Sequence, residues 1–213
     1  MKTVYLVRHG ETEGNVGKIF QGSDTPLNER GLEQARIVAE RCAKLPIQAI
    51  ISSPMARARQ TAEVISNKIS MPFEANPLFA EARRPTALMG RSTDEPEARE
   101  MEKSWVRGYL GEGTKVEDGE HFDEIVQRAG EALDYLEHHL AEHLLVVTHG
   151  LFVRALYTRV VFGEAMTSAE FRRVVLSLRT DNTGISVFVR DKTPENPTVR
   201  WMMRIWNDHA HLG

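Results

Sequence analysis

Apolar residues run unbroken at three places in the chain: VYLV (4–7), AII (49–51) and LLVV (144–147). A strand with one wet face alternates, so these runs predict central parallel strands covered on both sides, at 3–7, 47–52 and 144–148. Between them the period becomes helical. A helix over 28–43 places Leu32, Ala35, Ala39 and Cys42 on one face. After the second strand, Ser53 is read as a helix cap and Pro54 as the first helical residue, with Ala58, Ala62, Ile65 and Ile69 as the inner stripe. The clearest helix spans 121–141, with Phe122, Ile125, Val126, Ala129, Leu133, Leu136 and Leu140 at helical spacing. Further helices are expected at 95–110 and 151–162. Strands at 184–191 and 198–206, separated by the turn-rich KTPENP, read as an antiparallel pair at a sheet edge. The alternation predicts an α/β fold, a three-layer α/β/α sandwich around a mostly parallel sheet. One domain over 1–213 is expected, with an irregular excursion at 79–118 over one end of the sheet.

Composition narrows the function classes. With 213 residues, 41% of them hydrophobic, the chain is long enough for a sizeable core. No apolar run approaches the roughly 18 residues of a membrane span, and Met1 leads directly into KTVYLV without room for a signal peptide. A soluble, cytoplasmic protein with no membrane partner is expected. A net charge of −3 exerts no general pull on nucleic acid, so anion recognition falls to locally clustered arginines. Cys42 is the single cysteine, which excludes an internal disulfide, and its apolar neighbours predict a buried thiol. In EHHLAEH, His139 and His143 stand one helical turn apart without an obvious third ligand, so solvated histidines rather than a metal site are expected. Trp105, Trp201 and Trp206 read as packing residues, Trp105 also as a candidate lining of a substrate entrance. No Walker loop occurs, and GEGTKV has Val116 where a dinucleotide fingerprint needs glycine. No cofactor is expected.

The chemistry concentrates where strands stop. In open α/β sheets ligands gather at the carboxyl ends of the strands. Arg8 and His9 stand at the end of the first strand, SSPMAR with Arg57 follows the second, and His149 ends VVTHG. Helix N-termini after two of these strands add free amides. Two guanidinium groups beside two imidazoles repel a metal cation and suit a phosphoryl group, whose oxygens accept bidentate pairs. Imidazole is also a nucleophile when one ring nitrogen is free and the other held. His9 is the better candidate, with Gly10 leaving room for phosphate and His149 donating to the transferring group. Arg59 competes with Arg57 but lies on a different helix face.

LVRHGET, SSPMARARQTA and VVTHG, together with GSDTPLNERGLEQA and the closing NDHAHL, resemble the histidine phosphatase superfamily, which includes the cofactor-dependent phosphoglycerate mutases. The resemblance covers nearly the whole chain and implies a phosphoglycerate mutase-like fold and a phosphohistidine at His9, with Arg8, Arg57 and His149 completing the phosphate pocket. It places the proton donor at Glu81 in LFAEARRP, with Glu11, Glu95 and Glu120 as alternatives along the chain. Burial is expected to raise the affinity of that carboxyl for its proton. Thr12, Asn15, Gln21 and Gly22 match the loop that contacts phosphate or substrate. The mutases carry Arg-x-Tyr-Gly just after the acid, whereas this chain reads EARRPTALMG, which favours a phosphatase acting on a small phosphorylated substrate. Arg83 and Arg84 are candidates for contacting a second anionic group. Phe20, Phe79 and Met89 are candidate specificity residues.

Overall fold

The computed structural model describes residues 1–191 and 201–213. The chain begins with β1 (Lys2–Arg8), α1 (Glu13–Val16), α2 (Glu29–Cys42), β2 (Ala49–Ser52), α3 (Ala56–Ile69) and β3 (Phe73–Ala75). It continues through α4 (Pro96–Tyr109), α5 (Phe122–His138), β4 (His143–Thr148), α6 (Gly150–Phe162), α7 (Ser168–Ser177), β5 (Ile185–Arg190) and β6 (Met202–Asp208).

The strands form one sheet in the order β3-β2-β4-β1-β5-β6. The first four are parallel, and β5 and β6 complete the sheet antiparallel. This is the expected mostly parallel α/β sheet, with the antiparallel pair at its edge. Pleating sends Leu144 and Val146 to one face and Leu145 and Val147 to the other. All four are buried, which explains why LLVV carries no polar residue. On the first face they meet Ile125 and Ala129 of α5 and Phe152 and Leu156 of α6. On the second they meet Val38 of α2 and Ala62 of α3. Cys42 lies in this second core, and burial pushes its thiol up to about 12.

Several boundaries differ from the expectation. Helix α3 starts at Ala56 with Met55 as its cap, not at Ser53 and Pro54. The ladder with β4 runs one residue further, Ser53 N donating to Val147 O at 2.9 Å, so the turn into the helix comes later. Helix α5 stops at His138, and Leu140 is 98% exposed rather than part of the stripe. Lys2 Nζ donates to the carbonyls of Glu137 and His139, satisfying orphan acceptors at that end. His139 and His143 therefore belong to different elements and are not a helical pair. Trp105 is buried in the core, donating to Glu120 O, and does not line an entrance. Phe79 is likewise a core residue. The turn KTPENP and the first residues of the last expected strand, 198–200, lie outside the described residues.

Candidate active site

Strands β1 and β4 are parallel neighbours, but the first long helices after them pack on opposite faces, α2 on one and α6 on the other. This divergence opens a crevice at their carboxyl ends. A cavity of about 1220 Å³ occupies it, lined among others by Arg8, His9, Arg57 and Glu81.

His9 follows β1 and still belongs to the ladder, its N donating to Thr148 O at 3.0 Å. Its ring lies between two fixed partners: Nδ1 is 2.7 Å from Gly10 O, and Nε2 accepts from Arg57 Nε at 3.3 Å. A carbonyl can only accept, so the ring proton sits on Nδ1 and Nε2 keeps its lone pair. Burial lowers the His9 pKa well below the ordinary histidine value, and the charges of Arg57 and Arg8 lower it further.

His149 is the cap residue of α6, and its ring centroid is 5.0 Å from that of His9. Its Nε2 lies 2.7 Å from Ser53 Oγ, which also accepts from Met55 N at 3.2 Å. The pKa of His149 is also held well below the usual value, first by burial, then by His9, Arg57 and Arg8. Its Nδ1 and the Nε of Arg8 are buried with no hydrogen-bond partner among the described residues. Arg8 donates from its remaining fork to Thr180 O at 2.6 Å.

Arg57 enters from the first turn of α3 and is buried, whereas Arg59 points to solvent. Burial lowers the pKa of both Arg8 and Arg57, and Glu81 opposes that effect in each. Glu81 is half-buried and sits at the N-terminus of α6, accepting from Leu151 N at 3.3 Å and Phe152 N at 3.1 Å, and from Ala82 N at 2.9 Å. Amide donors hold this carboxylate, rather than the apolar burial that was expected. Of the alternatives, Glu11 pairs with Asn28 and Arg30, Glu95 with Arg91, and Glu120 with Arg128.

Asn15, Gln21, Gly22, Arg83 and Arg84 all line the cavity, as do Phe20 and Met89. Thr12 does not: it is fully buried, its hydroxyl 2.7 Å from Gln21 Oε1, and it shapes the loop from within. Gly10 also has a different reason from the expected one. A Cβ there would lie 2.5 Å from Gly31 O, so glycine permits the close approach of α2 rather than making room for phosphate. Three contributions escaped the sequence reading. Ser53 orients His149, Asn182 Nδ2 donates to His9 O at 2.9 Å, and Arg154 and Arg179 add to the cavity's positive lining. Only the strand-end position of Ser53 carried any local signal.

A family model described as histidine phosphatase superfamily (branch 1) matches residues 4–202. Over 218 aligned residues the chain is 35% identical to a probable phosphoglycerate mutase GpmB of Yersinia pestis, covering all of this chain and 95% of the relative. Among solved structures, YhfR of Bacillus stearothermophilus superposes with a TM-score of 0.82 at 24% identity over the full length of both chains. A phosphoserine phosphatase variant from Entamoeba histolytica in complex with phosphoserine gives a TM-score of 0.77 at 23% identity, again over both full lengths. The family model spans nearly the whole chain and the relative matches it over its full length, so the chain belongs to the histidine phosphatase superfamily.

Proposed function

We propose that the protein hydrolyses phosphomonoesters in two steps through a phosphohistidine at His9, without a metal ion. The orientation of His9 carries this reading: Nδ1 is committed to Gly10 O, which leaves the lone pair on Nε2, where it accepts a long hydrogen bond from Arg57 Nε that a phosphoryl oxygen can take over. A phosphoryl group entering at Nε2 takes Arg57 and the unpartnered Nε of Arg8 as oxygen ligands. If Ser53 Oγ donates to His149 Nε2 while accepting from Met55, His149 Nδ1 carries the proton and donates to the same group.

In the first step the His9 lone pair forms the P–N bond, the P–O ester bond breaks, and Glu81 protonates the leaving oxygen. Positive charge appearing on the imidazole is stabilised by Gly10 O at Nδ1. In the second step Glu81 takes a proton from water, whose oxygen attacks phosphorus as the P–N bond breaks, releasing inorganic phosphate and restoring neutral His9. Two permanent guanidinium charges oppose a catalytic cation in this space.

The sequence EARRPTALMG after the acid supports hydrolysis over transfer, and the substrate is a small phosphorylated molecule, Arg83 and Arg84 facing its distal part. A relative named as a probable phosphoglycerate mutase favours a second reading, transfer of phosphate between substrate hydroxyls. Counting inorganic phosphate against isomerised phosphoglycerate separates them. Hydrolysis predicts stoichiometric phosphate, and isomerisation without release contradicts it. His9→Ala is expected to abolish turnover of an aryl phosphate with the circular dichroism spectrum unchanged. Sustained turnover in that variant removes the mechanism. No described helix is long and apolar enough to cross a membrane.

A further inference from the structure

Glu81 sits on an irregular segment with no helix or strand of its own to hold it, yet its carboxylate must stand within hydrogen-bond reach of one ester oxygen. The segment is held from the side by one guanidinium. Arg128 of α5 donates from NH1 to Leu78 O and to Ala80 O, both at 2.8 Å, and from NH2 towards Glu81 O at 3.5 Å. Its other donors form a two-bond pair with Glu120, Nε to Oε1 and NH2 to Oε2, each at 2.8 Å. Every N–H of the guanidinium thus has an acceptor.

Glu120 completes the enclosure from the far side of Glu81. Its Oε2 accepts from Arg83 N at 3.1 Å, and its own N donates to Arg83 O at 2.7 Å. Arg128 also lies over the ring of Phe152 at 4.2 Å, and Phe152 N is one of the amides on the Glu81 carboxylate. The residues before Glu81, the residue two after it and the helix end that receives its carboxylate therefore share one anchor. The pair is almost dry, with side chains 17% and 6% exposed. An ion pair in such a place adds little stability over apolar packing of the same volume, so its value lies in fixing geometry.

We propose that Arg128, locked by Glu120, is the positioning residue that holds Glu81 at the leaving oxygen. This rests on the reading of Glu81 as proton donor. Among the described residues Arg128 makes no hydrogen bond to His9, Arg8 or Arg57. Its charge also lowers the His149 pKa, and a lysine at this position keeps that charge, so the loss expected in Arg128→Lys falls chiefly on departure of the leaving group.

Leaving-group dependence tests it. An alkoxide needs a proton as the ester bond breaks, and a nitrophenolate does not. In Arg128→Lys, kcat/KM for glycerol phosphate is expected to fall about thirty-fold or more, within the range of general-acid effects, and that for nitrophenyl phosphate by less than about threefold. The ratio of the two constants is independent of the folded fraction, so a poorly folding preparation still reports. Glu120→Gln, which keeps the side-chain shape, is expected to move the ratio the same way. Glu81→Gln is the reference. If Glu81→Gln is selective for the aryl ester and the Arg128 and Glu120 variants lose both activities equally or neither, the positioning role is overturned and the acid role stands. If Glu81→Gln is itself unselective, the acid assignment fails first.

Discussion

His9 and His149 are wholly buried beside two guanidinium groups, and both are held neutral well below the ordinary histidine pKa. The folded state therefore binds fewer protons than the unfolded chain once pH falls through about 6.5. Their contribution to stability is fully present above that pH and is lost as pH falls from there towards the lower folded values. Each histidine adds a slope of up to about 1.4 kcal/mol per pH unit in this window. Urea unfolding at pH 7 and pH 5.5 is expected to show that loss, with a shallower slope in His149→Asn. Equal slopes contradict the buried neutral pair. At this scale the sequence was most informative: Arg8, His9, Arg57 and His149 announce themselves as charged or nucleophilic residues where apolar strands stop. Ser53, Asn182 and Arg128 act through partners 96, 173 and about 50 residues away, so apart from the strand-end position of Ser53 nothing local marks them.

The segment between β1 and α2, which includes the short α1, carries His9, Asn15, Gln21 and Gly22, and its course is set by backbone contact with α2. A Cβ on Gly31 would stand 2.0 Å from Glu11 O, an atom that cannot swing aside. Gly31→Ala is expected to cost about 1–3 kcal/mol and to lower turnover by displacing the loop. An unchanged urea midpoint together with unchanged turnover contradicts that packing. The loop after α7 is braced similarly: Asn207 and Asp181 exchange hydrogen bonds, Thr183 N donates to Arg8 O at 2.9 Å, and Arg41 pairs with Asp208. The closing NDHAHL thus reaches the site through the loop it holds. Long apolar or periodic elements were legible in the sequence. Strand β3 has three residues and α7 buries only Phe171 and Val175, so neither carries enough pattern to be read.

Across the whole molecule, an α/β sheet whose two central strands send their helices to opposite faces places the cavity, and the location of the site followed from strand ends alone. Its outer wall did not. The 79–118 excursion supplies Glu81, Arg83, Arg84, Thr86, Met89 and Glu102, arranged by the Glu120–Arg128 pair rather than by any local period. Six arginines and four carboxylates line the cavity, a balance that draws anionic substrates despite the negative net charge of the chain. The covalent step at His9 is tested most directly by mixing enzyme with a phosphate-labelled ester and quenching into alkali within milliseconds. The predicted result is a label bound to protein, stable to alkali, released by acid, located on His9 and missing from His9→Ala. Ester consumed with no such adduct at any quench time contradicts it.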